Sequence, residues 1–346
     1  MSSSHDPIAR LPILILFPHS RCNCRCLMCD IWKDGERREL TASEVGGWVE
    51  EWRRLGVREV VLSGGEALMH SDLFALCRPM HEAGIAITLL STGLLLARHA
   101  ESVAGLVDNV VLSLDGPREV HDAIRNVPRA YERLAEGVSA LRRLRPRLPI
   151  SGRCTVQRKN FRFLRETVAA ARAIGLDSIS FLAVDVSSAA FNRPEGKGAT
   201  PPSEMALSTA ETLELEETLT RLERENAADF QSGFIVESPA KLRVRLLQYF
   251  RALLGLEGFA RISCNAPWVS AVVESDGTVR PCFFHEALGN VRQAGNLEAV
   301  LNSGKARAFR ASLDVATNPV CVKCVCSLDR KQPSGAAAER TGHAHA

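Results

Sequence analysis

Apolar and polar positions along the first half of the chain follow two alternating periods. Six short runs rich in Val, Ile, Leu and Ser, at 11–17, 59–63, 86–91, 109–114, 150–157 and 178–184, read as β-strands. Between them apolar residues recur at helical spacing. Strand followed by helix through six units predicts an α/β fold, a partial (β/α)6 parallel barrel with its helices on the outside. The first helix opens with the capping box Thr41-Ala-Ser-Glu44, and Trp48, Trp52 and Leu55 fall on one packing face. Pro194 to Ser203, rich in Gly and Pro, reads as a linker or substrate loop. A helix is expected from Ser208, with leucines 213, 215, 219 and 222 mostly on one face. Residues 238–257, with Tyr249, Phe250 and Leu253, fit either a packing role or a pocket wall. Trp268 to Glu274, the turn Ser275-Asp-Gly277 and Thr278 to Phe283 read as a hairpin. The expected division is a barrel at 1–190, a linker and helical segment at 191–260, a small hairpin-containing C-terminal domain at 261–330, and a disordered tail at 331–346.

Length and composition narrow the class. At 346 residues, 46% hydrophobic and 24% charged, the chain is long enough for one large domain and a smaller one, and no stretch has the apolar length of a membrane span. A net charge of +3 gives no electrostatic footprint for nucleic acid, and the run Arg142, Arg143, Arg145, Arg147 reads as a solvated helix end. Eleven cysteines, an odd number, in a long chain without a secretory signal argue for reduced thiols and a cytoplasmic location. His343 and His345 in the tail read as inert.

Chemistry concentrates just after the predicted strands. Cys22, Cys26 and Cys29 follow the first at C-x3-C-x2-C spacing, Ser63-Gly-Gly-Glu66 follows the second, Ser91-Thr-Gly93 the third and Asp115-Gly116 the fourth. In parallel barrels that rim builds the active site, so one composite site is expected there. Three thiolates from one loop can hold three irons of a [4Fe-4S] cube and leave the fourth open to a small molecule. Zinc usually takes four ligands, and this loop has only Cys24 and His19 to complete a set. Consecutive glycines at 64 and 65 let a ligand approach the backbone, and Glu66 offers an anion to an ammonium group.

With these pieces in this order, the chain resembles the radical S-adenosylmethionine (SAM) enzymes over residues 11 to about 186. The resemblance rests on the cysteine loop, on Ser63-Gly-Gly-Glu66, on Val111-Leu-Ser-Leu-Asp115 and on Ser151 to Val156. It implies that Cys22, Cys26 and Cys29 hold a [4Fe-4S] cluster whose open iron chelates SAM. It further implies that Gly64, Gly65 and Glu66 hold the methionine amino end, that Ser113 and Asp115 contact ribose or carboxylate, and that Arg153 forks onto the carboxylate. Met28 stands where the family often has an aromatic residue, and its thioether can still pack beside adenine.

A second cysteine group ends the chain. Cys264 and Cys282 read as C-x12-G-x4-C, and Cys321 and Cys324 as C-x2-C, with Cys326 as an alternative fourth ligand to Cys324. Two separated pairs on a hairpin suit zinc as well as iron and sulfur. The group resembles the twitch domain, the shortened SPASM relative, which implies an auxiliary [4Fe-4S] cluster. Cys24, Cys77 and Cys154 read as structural.

The implied activity is hydrogen abstraction from a substrate carbon with net oxidation assisted by the auxiliary cluster, and an electron donor such as flavodoxin or ferredoxin. A small metabolite is the expected substrate, because only 21 residues precede Cys22 and many peptide-modifying relatives carry an N-terminal leader-recognition domain. A ribosomal peptide, matured by thioether or carbon–carbon crosslinks, is the alternative, and a non-catalytic electron-transfer or redox-sensing protein is the second. Asp185, His285 and Glu286 are the candidate proton acceptors.

Overall fold

The computed structural model describes residues 7–193 and 201–330; most of the expected linker, the tail and its two histidines lie outside them. All six expected strands form: β1 (Ile13–Leu16), β2 (Glu59–Leu62), β3 (Ala86–Ser91), β4 (Asn109–Ser113), β5 (Ile150–Val156) and β6 (Ser178–Ala183). They pair in parallel, each with the next in sequence. The intervening helices are α1 (Ala42–Arg54), α2 (Leu73–Glu82), α3 (Ala100–Leu106), α4 (Arg118–Arg125), α5 (Ala130–Leu144) and α6 (Leu164–Ala173). The capping box forms as the sequence predicts: Thr41 Oγ1 accepts from the Glu44 amide, and Glu44 reaches back to the Thr41 amide. Trp52 and Leu55 are buried and Trp48 packs at the margin.

The sheet does not end at β1. Strand β7 (Ser270–Val273) pairs with it in parallel, Leu14 opposite Ala271, and β8 (Thr278–Arg280) and β9 (Gly289–Asn290) follow antiparallel. The hairpin is therefore part of one nine-stranded sheet, and it satisfies the backbone of β1, whose four residues are all buried. The expected strand from Trp268 begins two residues later. Pro267 sits in the first turn of a helix over Ala266–Val269, and Ser270 Oγ donates back to the Ala266 carbonyl, so the chain turns once before extending.

Strand alternation splits the core. Leu14, Leu16, Val60 and Leu62 face the helices, while Ile13, Ile15, Val61 and Val272 make a separate cluster on the inner face with Phe17 and Phe283 against it. The helix from Ser208 spans Thr209–Glu225 and buries Leu215, Leu219 and Leu222; Leu213 falls off that face and is exposed. Residues 239–253 form one helical stretch with a π-helical segment at Arg243–Gln248. Its Tyr249 hydroxyl donates to the Val184 carbonyl at 3.1 Å, which anchors it at the C-terminal end of β6.

Candidate active site

The loop after β1 is held in place by α4. The Arg25 and Leu27 amides donate to the carbonyls of Arg125 and Ile124, which an α-helix leaves unpaired at its C-terminus, and Asn126 leaves the helix with a left-handed φ of 52°. Cys22, Cys26 and Cys29 thereby line one cavity of about 220 Å³, which Gly64, Gly65 and Arg153 also border. Arg125, which nothing in the sequence singles out, donates to Cys26 Sγ at 3.5 Å and pairs with the buried Asp115 at 2.6 Å. A hydrogen bond from the Cys24 thiol, and then the charge of Arg125, outweigh burial and hold the Cys26 thiol down at about 7. Burial pushes Cys29 up to about 12. Thiols on one cavity wall, one already biased to thiolate by a guanidinium, fit a three-thiolate set for an iron–sulfur cluster, whose binding releases the remaining protons. Met28 lines the same cavity and accepts from the Gln157 amide at 3.7 Å.

The Ser63–Glu66 loop divides its work differently from the sequence expectation. Gly64 takes a φ of +102°, and the Glu66 amide donates to the Arg21 carbonyl at 3.0 Å, bringing the two loops edge to edge. Glu66 turns inward and is fully buried. Its Oε1 accepts from the Leu68 amide and the Ser91 hydroxyl, and its Oε2 from the Thr92 amide and hydroxyl. Burial raises its pKa against the pull of those bonds. The sequence expectation set this carboxylate against a ligand ammonium; in this structure both its oxygens face protein donors, and Ser63, Gly64 and Gly65 border the cavity.

Asp115, expected beside ribose or carboxylate, is likewise engaged by protein groups. Its Oδ2 faces Arg125, its Oδ1 accepts from the Thr155 amide at 2.9 Å, and it does not line the cavity. Ser113 does, as do Arg153 and Thr155, which share one face of β5; Gly152, Cys154 and Val156 pack the other way. Replacing Arg125 with Met leaves the Asp115 charge buried without its cation and is expected to cost about 3 kcal/mol of stability, read by chemical denaturation. In the metal-free protein the Cys26 thiolate absorbance should then appear at higher pH than in the parent, because a guanidinium that lowers its pKa is gone.

At the far end Cys264, Cys282, Cys321, Cys324 and Cys326 all border a second, apolar cavity of about 50 Å³. The Cys326 amide donates to Cys324 Sγ at 3.3 Å, and His285 Nε2 lies 3.3 Å from Cys321 Sγ. Burial pushes Cys282 up to about 12 and Cys321 up to about 11. Five thiols around one cavity fit a four-thiolate cluster with one to spare. Cys24, Cys77 and Cys154 are buried away from this group.

The three candidate proton acceptors are not assembled. His285 lies in the second cavity, Glu286 is exposed and borders neither, and Asp185 borders the first but is ion-paired with Arg193 and bonded to Ser187 and Ser188.

Residues 16–171 match the radical SAM superfamily, and residues 264–325 match the SPASM iron–sulfur cluster-binding domain. An AdoMet-dependent heme synthase of Methanosarcina barkeri is 31% identical over 44% of this chain and 45% of its own length. A pre-heme d1 synthase of Dinoroseobacter shibae is 34% identical over 38% of this chain and 34% of its own. The matched part thus spans less than half the length of these relatives. Among solved structures, SuiB of Streptococcus suis bound to precursor peptide SuiA superposes with a TM-score of 0.67 at 16% identity, covering 93% of this chain and 73% of that one. Native anSMEcpe with bound AdoMet and a peptide superposes at 0.63 and 18% identity, covering 91% and 88%. At such identities the likeness is one of fold. No helix among the described residues is long and apolar enough to cross a membrane.

Proposed function

We propose, for a chain that belongs to the radical SAM enzymes and carries a C-terminal SPASM-type iron–sulfur domain, that it takes hydrogen from a carbon of a small metabolite in a net oxidation. The observation that carries this reading is the shared cavity: Cys22, Cys26 and Cys29 face the Gly64–Gly65 backbone and Arg153 across one space. Bound SAM and its cluster supply one-electron reductive cleavage and a carbon radical able to abstract hydrogen. The protein's own residues hold and orient.

Cys22, Cys26 and Cys29 ligate the SAM-binding cluster. Gly64 and Gly65, without side chains, admit the methionine end to the backbone, and Ser113 and Arg153 offer a hydroxyl and a guanidinium to ribose and carboxylate. Glu66 supports from beneath by fixing the β2 and β3 loops to each other. Cys264, Cys282, Cys321 and either Cys324 or Cys326 ligate the auxiliary cluster. Val325, between the last two thiols, borders the SAM cavity, so the cluster loop also walls the substrate space and excludes water from it. A flavodoxin or ferredoxin supplies the electron.

A small-molecule substrate draws support from the two curated relatives, named for heme and pre-heme d1 synthesis. The peptide reading draws on the fold shared with peptide-bound SuiB. Anaerobic reconstitution should give about eight irons per chain and, with SAM and dithionite, 5'-deoxyadenosine. About four irons and one zinc would remove the auxiliary-cluster part, and the absence of 5'-deoxyadenosine from the loaded protein would remove the whole.

A further inference from the structure

We infer that the substrate carries an anionic group, a carboxylate or a phosphate, received by Lys241 and Arg245 in a recess beside the SAM cavity; this rests on the reading that substrate and SAM meet there. The recess has a volume of about 70 Å³ and is bordered by Arg153, Glu237, Lys241, Arg245, Val325 and Ser327. Arg153 and Val325 also border the cavity of Cys22, Cys26 and Cys29. Lys241, Arg245 and Val325 also border a third cavity of about 330 Å³ that adds Arg261 and Asp329.

Three observations point to a bound anion. First, the charge is unbalanced: Lys241 and Arg245 face one carboxylate, Glu237, whose Oε2 already accepts from the Phe181 amide at 3.0 Å, and Arg153 is assigned to the SAM carboxylate. Burial raises the pKa of that carboxylate against the pull of the Phe181 amide and of Lys241 and Arg153.

Second, the helical stretch treats its cations unequally. Arg243 pairs with Glu223, and Arg251 with Glu216 and Glu257. Among the described residues neither Lys241 nor Arg245 makes an ion pair, and Arg245 reaches only the Ser327 hydroxyl. Arg243 and Arg251 meet glutamates of the neighbouring helix and the following turn, whereas Lys241 and Arg245 border the recess and pair with none among the described residues. Third, Arg245 lies within the π-helical segment Arg243–Gln248, a rare backbone form that accumulates at functional sites.

Equilibrium dialysis of the reconstituted, SAM-loaded protein against 1-naphthoate, 1-naphthyl phosphate and neutral 1-naphthamide tests the subsite without relying on turnover. At least one of the acids should be retained, about tenfold more tightly than the amide, and salt should weaken it. Whichever acid is favoured identifies carboxylate or phosphate as the natural group. Lys241→Gln and Arg245→Gln should each weaken acid binding about tenfold at unchanged iron content and melting temperature. Lys241 is exposed, so its variant carries little folding risk. Retention of neither acid, equal retention of the amide, or unchanged binding in the double variant overturns the inference. Loss of 5'-deoxyadenosine formation with acid binding intact would instead count against the SAM chemistry alone.

Discussion

Alanine at any one of Cys22, Cys26 or Cys29 is expected to abolish SAM-dependent formation of 5'-deoxyadenosine and to lower the iron count by about four. The expectation follows from how few ligands the site offers. Three thiols border the cavity, the open side is left for SAM, and a cube held by two thiolates loses a large part of the binding free energy that a folded site supplies. Cys24→Ala separates ligation from mere proximity. Cys24 is buried in the same loop, yet it does not border the cavity, so its variant should keep the iron. Alanine at Cys264 or Cys282 should remove a similar amount of iron but leave SAM cleavage measurable. Persistence of cleavage in the three loop variants, assayed anaerobically after reconstitution, would overturn the ligand assignment.

What could be read from the chain alone was what is local. β1, β2 and β4 are nearly continuous buried runs and β5 alternates, all set between stretches of helical periodicity, and the cysteine loop declares itself within eight residues. What escaped depends on partners distant in sequence. Arg125 reads as an ordinary cation in the last turn of a helix, and only the fold brings it to Cys26, ninety-nine residues earlier. Glu66 reads as a ligand group because it follows two glycines; the donors that turn it inward come mostly from the end of β3, some twenty-five residues on. Asp115 is withdrawn from the cavity in the same way, by Arg125 and the Thr155 amide. The pairing of β7 with β1 joins segments more than 250 residues apart, and no spacing rule carries a register across such a gap. Val325 borders the cavity of Cys22, Cys26 and Cys29 only because the fold brings the C-terminal cysteine loop back onto it, a contact no local spacing encodes.

Gly65→Ala is expected to reduce 5'-deoxyadenosine formation by about a hundredfold or more, a larger loss than Gly64→Ala should cause. Both glycines border the cavity, but they are pinned by different things. At Gly64 an added Cβ would meet the Phe17 side chain at 3.0 Å, and the φ of +102° adds backbone strain. The contacts are with the Phe17 Cβ and Cγ; rotation about χ1 moves only the second, and a shift of this one residue at the edge of the inner apolar cluster must take up the first. At Gly65 the Cβ would lie 2.1 Å from the Arg21 carbonyl oxygen and 3.2 Å from the Cys22 amide nitrogen. Those are backbone atoms, and no rotamer change removes them. The chain at Arg21 and Cys22 must move, breaking the hydrogen bond from the Glu66 amide to the Arg21 carbonyl that joins the two loops. The first cysteine of the loop then leaves its place by a distance on the order of 1 Å, enough to spoil positioning. The loss should be accompanied by poorer cluster loading in Gly65→Ala, read from iron content and absorbance, while the melting temperature of the metal-free protein falls only modestly. Full iron loading and cleavage in Gly65→Ala would mean that the contact between the two loops does not position Cys22.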